Sequence, residues 1–306
     1  MASPRIGLAL GGGAARGWAH IGVTDALAEA GIVPDVVCGT SFGAIVGAAI
    51  VTDRLPPLKR WAEAAGWREI AGLLDIRYTR GGLIDGTLIK TFLKELGIDG
   101  AIEDLGRPYA AVATDLASGR EIWLREGPIG DAVRASIALP GILSPMPWRE
   151  SWLIDGGVVN PVPVSTCRAL GADVIIAVDL NADLLNRRFG SGTELIVSDA
   201  APSATTIGRL LAQLPEAVRE QAEQIAPRLL NPGPRVPNYF DVLANAIYIL
   251  QDQITRSRLA GEPPHVLLQP RLRGIGLMEF NRASEAIAEG RAAVEQALPA
   301  ILRQVR

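Results

Sequence analysis

The chain has 306 residues, enough for one large domain or two small ones around a sizeable apolar core. Hydrophobic residues make up 48% and charged residues 21%, the balance of a folded globular protein. A formal charge of −3 gives nucleic acid no footing, and two cysteines, Cys38 and Cys167, supply neither a disulfide framework nor a metal-ligand cluster.

Both cysteines lie in apolar surroundings and read as small core residues. The basic residues are almost all arginine, with lysine only at Lys59, Lys90 and Lys94. Arginine suits phosphate recognition, but a general codon bias accounts for the same count. The N-terminal apolar run breaks into glycines too early for a signal peptide. No apolar run approaches the ~18 residues of a membrane span. These features predict a cytoplasmic protein, and a mean hydropathy of +0.22 leaves room for peripheral contact with a membrane.

In chain order, Arg5–Leu10 (RIGLAL) reads as a buried strand and Gly11–Gly17 (GGGAARG) as a loop. Trp18–Ala30 has apolar residues at helical spacing and stops at Gly31, a natural helix stop. Asp35–Cys38 (DVVC) is a second buried strand, followed by a sharp turn and a small-residue helix from about Gly43 to Val51. Together these make a βαβ unit with its turns at the strand C-termini. Leu55–Gly100 reads as helical, with candidate helices at Leu58–Ala65, Trp67–Leu74 and Gly86–Leu96. Tyr109–Asp115 and Glu121–Leu124 read as a strand pair joined through LASGR.

Ile129–Ala138 is a short helix before Pro140-Gly141, and Trp152–Ile154 a strand that runs into Asp155-Gly156-Gly157. Val164–Leu170 is a helix and Asp173–Asp179 a strongly apolar strand. Residues 186–203 are polar and show no clear period. Thr206–Leu214 and Glu216–Ile225 carry one apolar stripe across Pro215. A long helix over Phe240–Leu259, a strand over Val266–Gln269 and a helix over Asn281–Arg303 complete the chain. The alternation argues for a single α/β domain over 5–304, with 183–238 as an insertion or lid-like segment within it.

Three stretches could carry chemistry. Gly39-Thr40-Ser41-Phe42-Gly43 matches G-x-S-x-G, in which glycines at −2 and +2 let a strand fold sharply into a helix and display a serine. Taken alone, the pattern equally describes a glycine-rich turn whose serine caps a helix. GGGAARG lies at a strand-to-helix junction, where outward N–H groups and the helix dipole favour an anion: a pyrophosphate or an acyl-transfer oxyanion. The dinucleotide pattern G-x-G-x-x-G fails in every frame. Counted from Gly11 its last glycine is Arg16, and counted from Gly12 its middle glycine is Ala14. Asp35 also lies at the start of its strand rather than the end, so the elbow tips the choice toward an oxyanion. LIDGGVVNPVP places Asp155 at a strand end before Gly156 and Gly157, which is either a fixed carboxylate or an ordinary turn aspartate.

A histidine base is not obvious. His20 falls one turn after Arg16 and reads as a half-buried structural residue or a partner for a backbone carbonyl. His265 gives the order Ser41, Asp155, His265 of an α/β-hydrolase. That fold, however, needs several strands before its elbow, and here only one precedes it.

GGGAARG, GTSFG about two dozen residues later and a late DGG, together with RGWAHIGV and ASIALPGILSP, closely resemble the patatin-like phospholipase family. The bacterial branch related to the catalytic domain of neuropathy target esterase is the most similar. The resemblance covers about 5–182 and, more loosely, 240–304. It implies a three-layer α/β fold with a central, mostly parallel sheet flanked by helices. It also implies a Ser-Asp dyad, with Ser41 as nucleophile and Asp155 as base.

The oxyanion hole would be the backbone N–H groups of Gly12, Gly13 and Ala14, with Gly11, Arg16, Gly17, Gly39, Gly43, Gly156 and Gly157 as supporting positions. Ala14 stands where some members have glycine; its methyl leaves the N–H in place. No cofactor or metal is implied. The expected partner is a lipid or acyl-ester substrate such as a (lyso)phospholipid, with peripheral membrane contact and a homodimer left open. The alternatives are a general esterase or thioesterase with the same dyad, or a non-catalytic lipid-binding regulatory module.

Overall fold

The computed structural model describes residues 3–73, 76–79, 82–183 and 239–305. The first strand, β1 (Ile6–Leu10), leads through a 3₁₀ turn at Ala14–Trp18 into α1 (Ala19–Glu29); β2 (Val36–Thr40) leads into α2 (Phe42–Val51). The expected loop at Gly11–Gly17 is therefore shorter, because its second half has already begun to coil.

Next come α3 (Leu55–Ala64), α4 (Trp67–Gly72), the antiparallel pair β3 (Ile76–Thr79) and β4 (Gly82–Ile84), and α5 (Thr87–Glu95). That hairpin corrects the all-helical reading of Leu55–Gly100. The β-branched and aromatic residues at 76–79 are poor helix formers and good strand formers. Then follow β5 (Tyr109–Asp115), β6 (Glu121–Leu124), α6 (Ile129–Ser136), β7 (Met146–Trp148) and β8 (Ser151–Asp155). The last group is α7 (Val164–Ala169), β9 (Val174–Val178), α8 (Tyr239–Gly261), β10 (Val266–Leu268) and α9 (Ala283–Val305). The expected lid segment, including the helices read at 206–214 and 216–225, lies outside the described residues save for Asp183.

One eight-stranded sheet has the order β10-β9-β1-β2-β5-β8-β7, with β6 also paired to β5. The strands β10, β9, β1, β2 and β5 run parallel, while β6, β7 and β8 enter as antiparallel additions. Parallel strands are stable only with both faces covered, and the burial follows from the two-residue period of a strand. Leu8, Leu10 and Val37 join the large core with α1, α2 and α9. Ala9, Val36 and Cys38 point the other way, into a smaller core with Val164 and Cys167 of α7. Both cysteines are buried and unbridged there, as small core residues. The result is three layers: helices, sheet, helices. Helix α2 is buried along its whole length, which explains why its sequence is apolar on every side.

The register of β5 positions the site. Val112 pairs with Thr40, the last residue of β2, and the next residue, Ala113, pairs with Asp155, the last residue of β8. The pairing of β5 with β6 spans the same residues and uses the opposite edge. Strands β2 and β8 thus meet end to end along one edge of β5. Thr40 and Asp155 lie far apart in the sequence, yet their strands finish at the same point.

Candidate active site

Ser41 sits on the turn between β2 and α2 with φ 55° and ψ −125°, a conformation a non-glycine residue rarely adopts. Backbone crowding explains its flanking glycines. A Cβ on Gly39 would lie 2.3 Å from the Gly43 carbonyl oxygen, and one on Gly43 would lie 2.2 Å from that of Leu10. The turn is pinned by Ser136, whose Oγ accepts the Ser41 N–H at 2.9 Å and donates to the Val112 carbonyl at 2.6 Å.

Asp155 is fully buried. Its Oδ1 accepts the Gly157 N–H at 2.7 Å, and its Oδ2 has no hydrogen-bond partner among the described residues. Burial pushes the carboxyl up to about 6; the neighbouring Ser41 hydroxyl and the Gly157 N–H partly offset it. Ser41 therefore lies within electrostatic reach of the carboxyl without satisfying Oδ2.

The glycine loop packs against the serine: a Cβ on Gly12 would meet Ser41 Cβ at 3.3 Å. Its N–H groups are unequal. Gly11 donates to Val178 O at 3.0 Å and Gly12 to Pro161 O at 2.9 Å. Of the three expected oxyanion donors, Gly12 is thus already engaged, whereas Gly13 and Ala14 have no partner among the described residues. Ala14 holds φ 47°, the strained region that favours glycine.

The segment after Asp155 ties the motifs together, since Asn160 O accepts from Thr40 Oγ1 at 2.8 Å while Pro161 O takes Gly12. Ser136, Asn160 and Pro161 carry no signal of these roles on their own. Their stretches, ASIALPG and NPVP, stand out in the sequence as parts of longer motifs, with nothing in them that assigns these contacts.

Arg16 is wholly buried; its guanidinium stacks 4.1 Å over the Tyr248 ring and has no hydrogen-bond partner among the described residues. It braces the loop rather than facing solvent. His20 is fully buried rather than half-buried. Its Nε2 lies 2.7 Å from Gly11 O, so that nitrogen must carry the proton, and burial pushes the ring down to about 4. His265 is exposed at the start of β10, where its Nδ1 accepts the Ile175 N–H at 3.0 Å. Ile175 lies near the start of β9, so this histidine stands at the opposite end of the parallel strands from Ser41.

Beside Ser41 opens a cavity whose lining, Ser41 apart, is aliphatic, aromatic or methionine. Helices α3, α4 and α5 and the stretches 137–143 and 277–280 wall it. Its aromatic side is a packed set: Trp18 meets Phe42 edge-on at 4.7 Å, and Trp61 meets Phe92 at 4.5 Å. Among the described residues no cluster of His, Cys, Asp and Glu is arranged to hold a metal ion, and no helix is long and apolar enough to cross a membrane.

Fold and site define a class: an α/β protein that shows a serine on a strained strand-to-helix turn, beside a buried carboxylate and an apolar cavity. The comparisons make it specific. Residues 8–168 match the family model described as patatin-like phospholipase. A protein of Mycobacterium tuberculosis (strain ATCC 25618 / H37Rv) named an uncharacterized NTE family protein is 36% identical over 97% of this chain and 92% of its own length. Patatin-like phospholipase domain-containing protein 7 of Rattus norvegicus is 36% identical over 58% of this chain and 14% of its own. Among solved structures, VipD from Legionella pneumophila aligns over 97% of this chain and 67% of that one at 13% identity, with a TM-score of 0.46. The chain belongs to the patatin-like phospholipase family, whose activity is hydrolysis of lipid esters.

Proposed function

We propose that the protein is a serine acyl hydrolase that cleaves carboxylic esters of single-chain lipids, lysophospholipids foremost, through a Ser41–Asp155 dyad. The observation that carries this reading is the position of Ser41, a polar group at the wall of an otherwise apolar cavity and next to a buried carboxylate. Asp155 takes the proton as Ser41 Oγ attacks the acyl carbonyl. The oxyanion rests on the N–H groups of Gly13 and Ala14, near the positive end of the following helical turn. The alcohol leaves with the proton from Asp155. Water, deprotonated by Asp155, then attacks the acyl-serine; Asp155 returns that proton to Ser41 Oγ as the fatty acid is released.

A base held near 6 is ionised at neutral pH yet closer in basicity to its task than an ordinary aspartate. The acyl chain lies in the cavity and the polar head stays outside. Peripheral contact with a membrane belongs to the same proposal, supported by Trp67 and Leu88, which are exposed on α4 and α5, two of the three helices that wall the cavity.

The test is a panel of lysophospholipid, diacyl phospholipid, short p-nitrophenyl ester and acyl thioester, with Ser41→Ala as blank. Lysophospholipid should give the highest kcat/KM. Equal turnover of short esters and thioesters would favour a general esterase, and no turnover above the Ser41→Ala blank would favour a lipid-binding module.

A further inference from the structure

Helix α8 lies beyond the span matched to the family, yet one of its faces reaches both halves of the site. Tyr248 and Gln251 are three residues apart, hence on one side of the helix, and both are buried. The Tyr248 ring lies under the Arg16 guanidinium of the glycine loop. Gln251 lies over the turn that follows Asp155: a Cβ on Gly157 would sit 2.4 Å from Gln251 Nε2 and 3.0 Å from Asp155 Oδ1. The amide and the carboxylate oxygen therefore crowd the same point. Gln251 Oε1 accepts from Asn181 Nδ2 at 3.3 Å, and the same nitrogen lies 3.4 Å from the Gly12 carbonyl oxygen.

This matters because the Gly157 N–H is the hydrogen bond that orients the carboxylate, and Gly156-Gly157 has no side chains with which to anchor itself. The charged groups around this face are Arg16, Asp179 and Asp252, the last paired with Arg256 at 2.8 Å. We propose that Gln251 is a positioning residue for the Ser41–Asp155 pair: its amide seats the turn that holds Asp155 Oδ1 and, through Asn181, sets that turn against the glycine loop. The inference rests on the dyad reading above.

The test uses the full chain with Gln251→Leu, which keeps the bulk and removes the amide, and Gln251→Glu, which keeps the shape and adds a charge. Fluorophosphonate labelling of Ser41 in the wild type is established first; if it fails, the dyad reading falls and not this one alone. With labelling in place, both variants should lose on the order of 10- to 100-fold in kcat, the scale for a reacting group displaced by about an ångström. KM should stay within about twofold.

The acid limb of the pH profile should move upward in both, because a loosened Gly157 N–H or a new neighbouring charge disfavours the Asp155 carboxylate. A purely structural role would lower the melting temperature and leave that limb in place. Folded variants with an unmoved limb overturn the proposal. So does the loss of a cooperative melting transition in both, which would make Gln251 a folding residue.

Discussion

Ser41 and Asp155 come together because Thr40 and Asp155 pair with consecutive residues of β5, Val112 and Ala113, along the same edge. The relationship is a matter of sheet register. It brings a parallel strand and an antiparallel one to a common end, so the turn that carries Ser41 and the turn that carries Asp155 share one small volume. Sliding β8 by one residue would turn the Asp155 side chain to the other face of the sheet.

The first consequence is a pH profile. In the proposed mechanism Asp155 serves as base only when ionised, and burial holds it at about 6. Ester turnover should therefore rise through about pH 6 and level off above it. Initial rates of a neutral p-nitrophenyl ester across the acid range check this. A limb near the ordinary carboxylate range, about 4, would mean that the base is solvated or is another group.

The second concerns stability. In the fold Asp155 keeps its proton up to about 6 against an ordinary 3.8, so its contribution falls as pH rises between those values, by roughly 3 kcal/mol. His20 runs the other way. Its ring is pushed from 6.5 down to about 4, the unfolded chain binds a proton that the fold refuses, and stability rises with pH over that window by roughly 3 kcal/mol. The two slopes oppose each other. Asp155→Asn removes one of them, so its melting temperature should climb from pH 4 to 6.5 and exceed that of the wild type above pH 7, while activity is lost. A variant that melts below the wild type above pH 7 would show that the buried carboxylate is better compensated than this geometry indicates.

The third concerns chain length. If the acyl group enters the apolar cavity, each added methylene contributes up to about 0.8 kcal/mol. That amounts to roughly a fourfold rise in kcat/KM per carbon until the cavity is full. Leu143→Trp, which narrows the wall, should bring the plateau at a shorter chain and leave acetate esters within about twofold. The p-nitrophenyl ester series from two to sixteen carbons reads this directly. An unchanged plateau would place the acyl chain elsewhere.

The fourth concerns His265. It stands at the far end of the parallel strands, where it bonds the Ile175 backbone. His265→Ala should keep ester turnover within about twofold and lose on the order of 1 kcal/mol of stability. A collapse of kcat in a folded variant would restore a histidine base.

Much of this was legible in the sequence, and the reasons are local. Gly39 and Gly43 announce a sharp turn because no side chain fits there. The alternation of apolar strands with helices gives the layered sheet, and a carboxylate before two glycines marks a strand end. The sequence was mute where long-range pairing decides. Nothing in GGGAARG tells that Gly12 spends its N–H on Pro161, nearly half the chain away. Nothing in NPVP tells that it braces the elbow through Thr40. The β3–β4 hairpin was hidden among helices because strands that short carry little periodicity, and β7 has only three residues. Gln251 sits in an ordinary helix, and only its contacts single it out.

The most direct measurement is fluorophosphonate labelling followed by peptide mapping in the wild type, Ser41→Ala and Asp155→Asn. A Ser41–Asp155 dyad predicts a single adduct on Ser41 in the wild type and none in Ser41→Ala. For Asp155→Asn it predicts labelling slowed on the order of 10³-fold or more. An adduct on another residue, or labelling of Asp155→Asn at the wild-type rate, would contradict it.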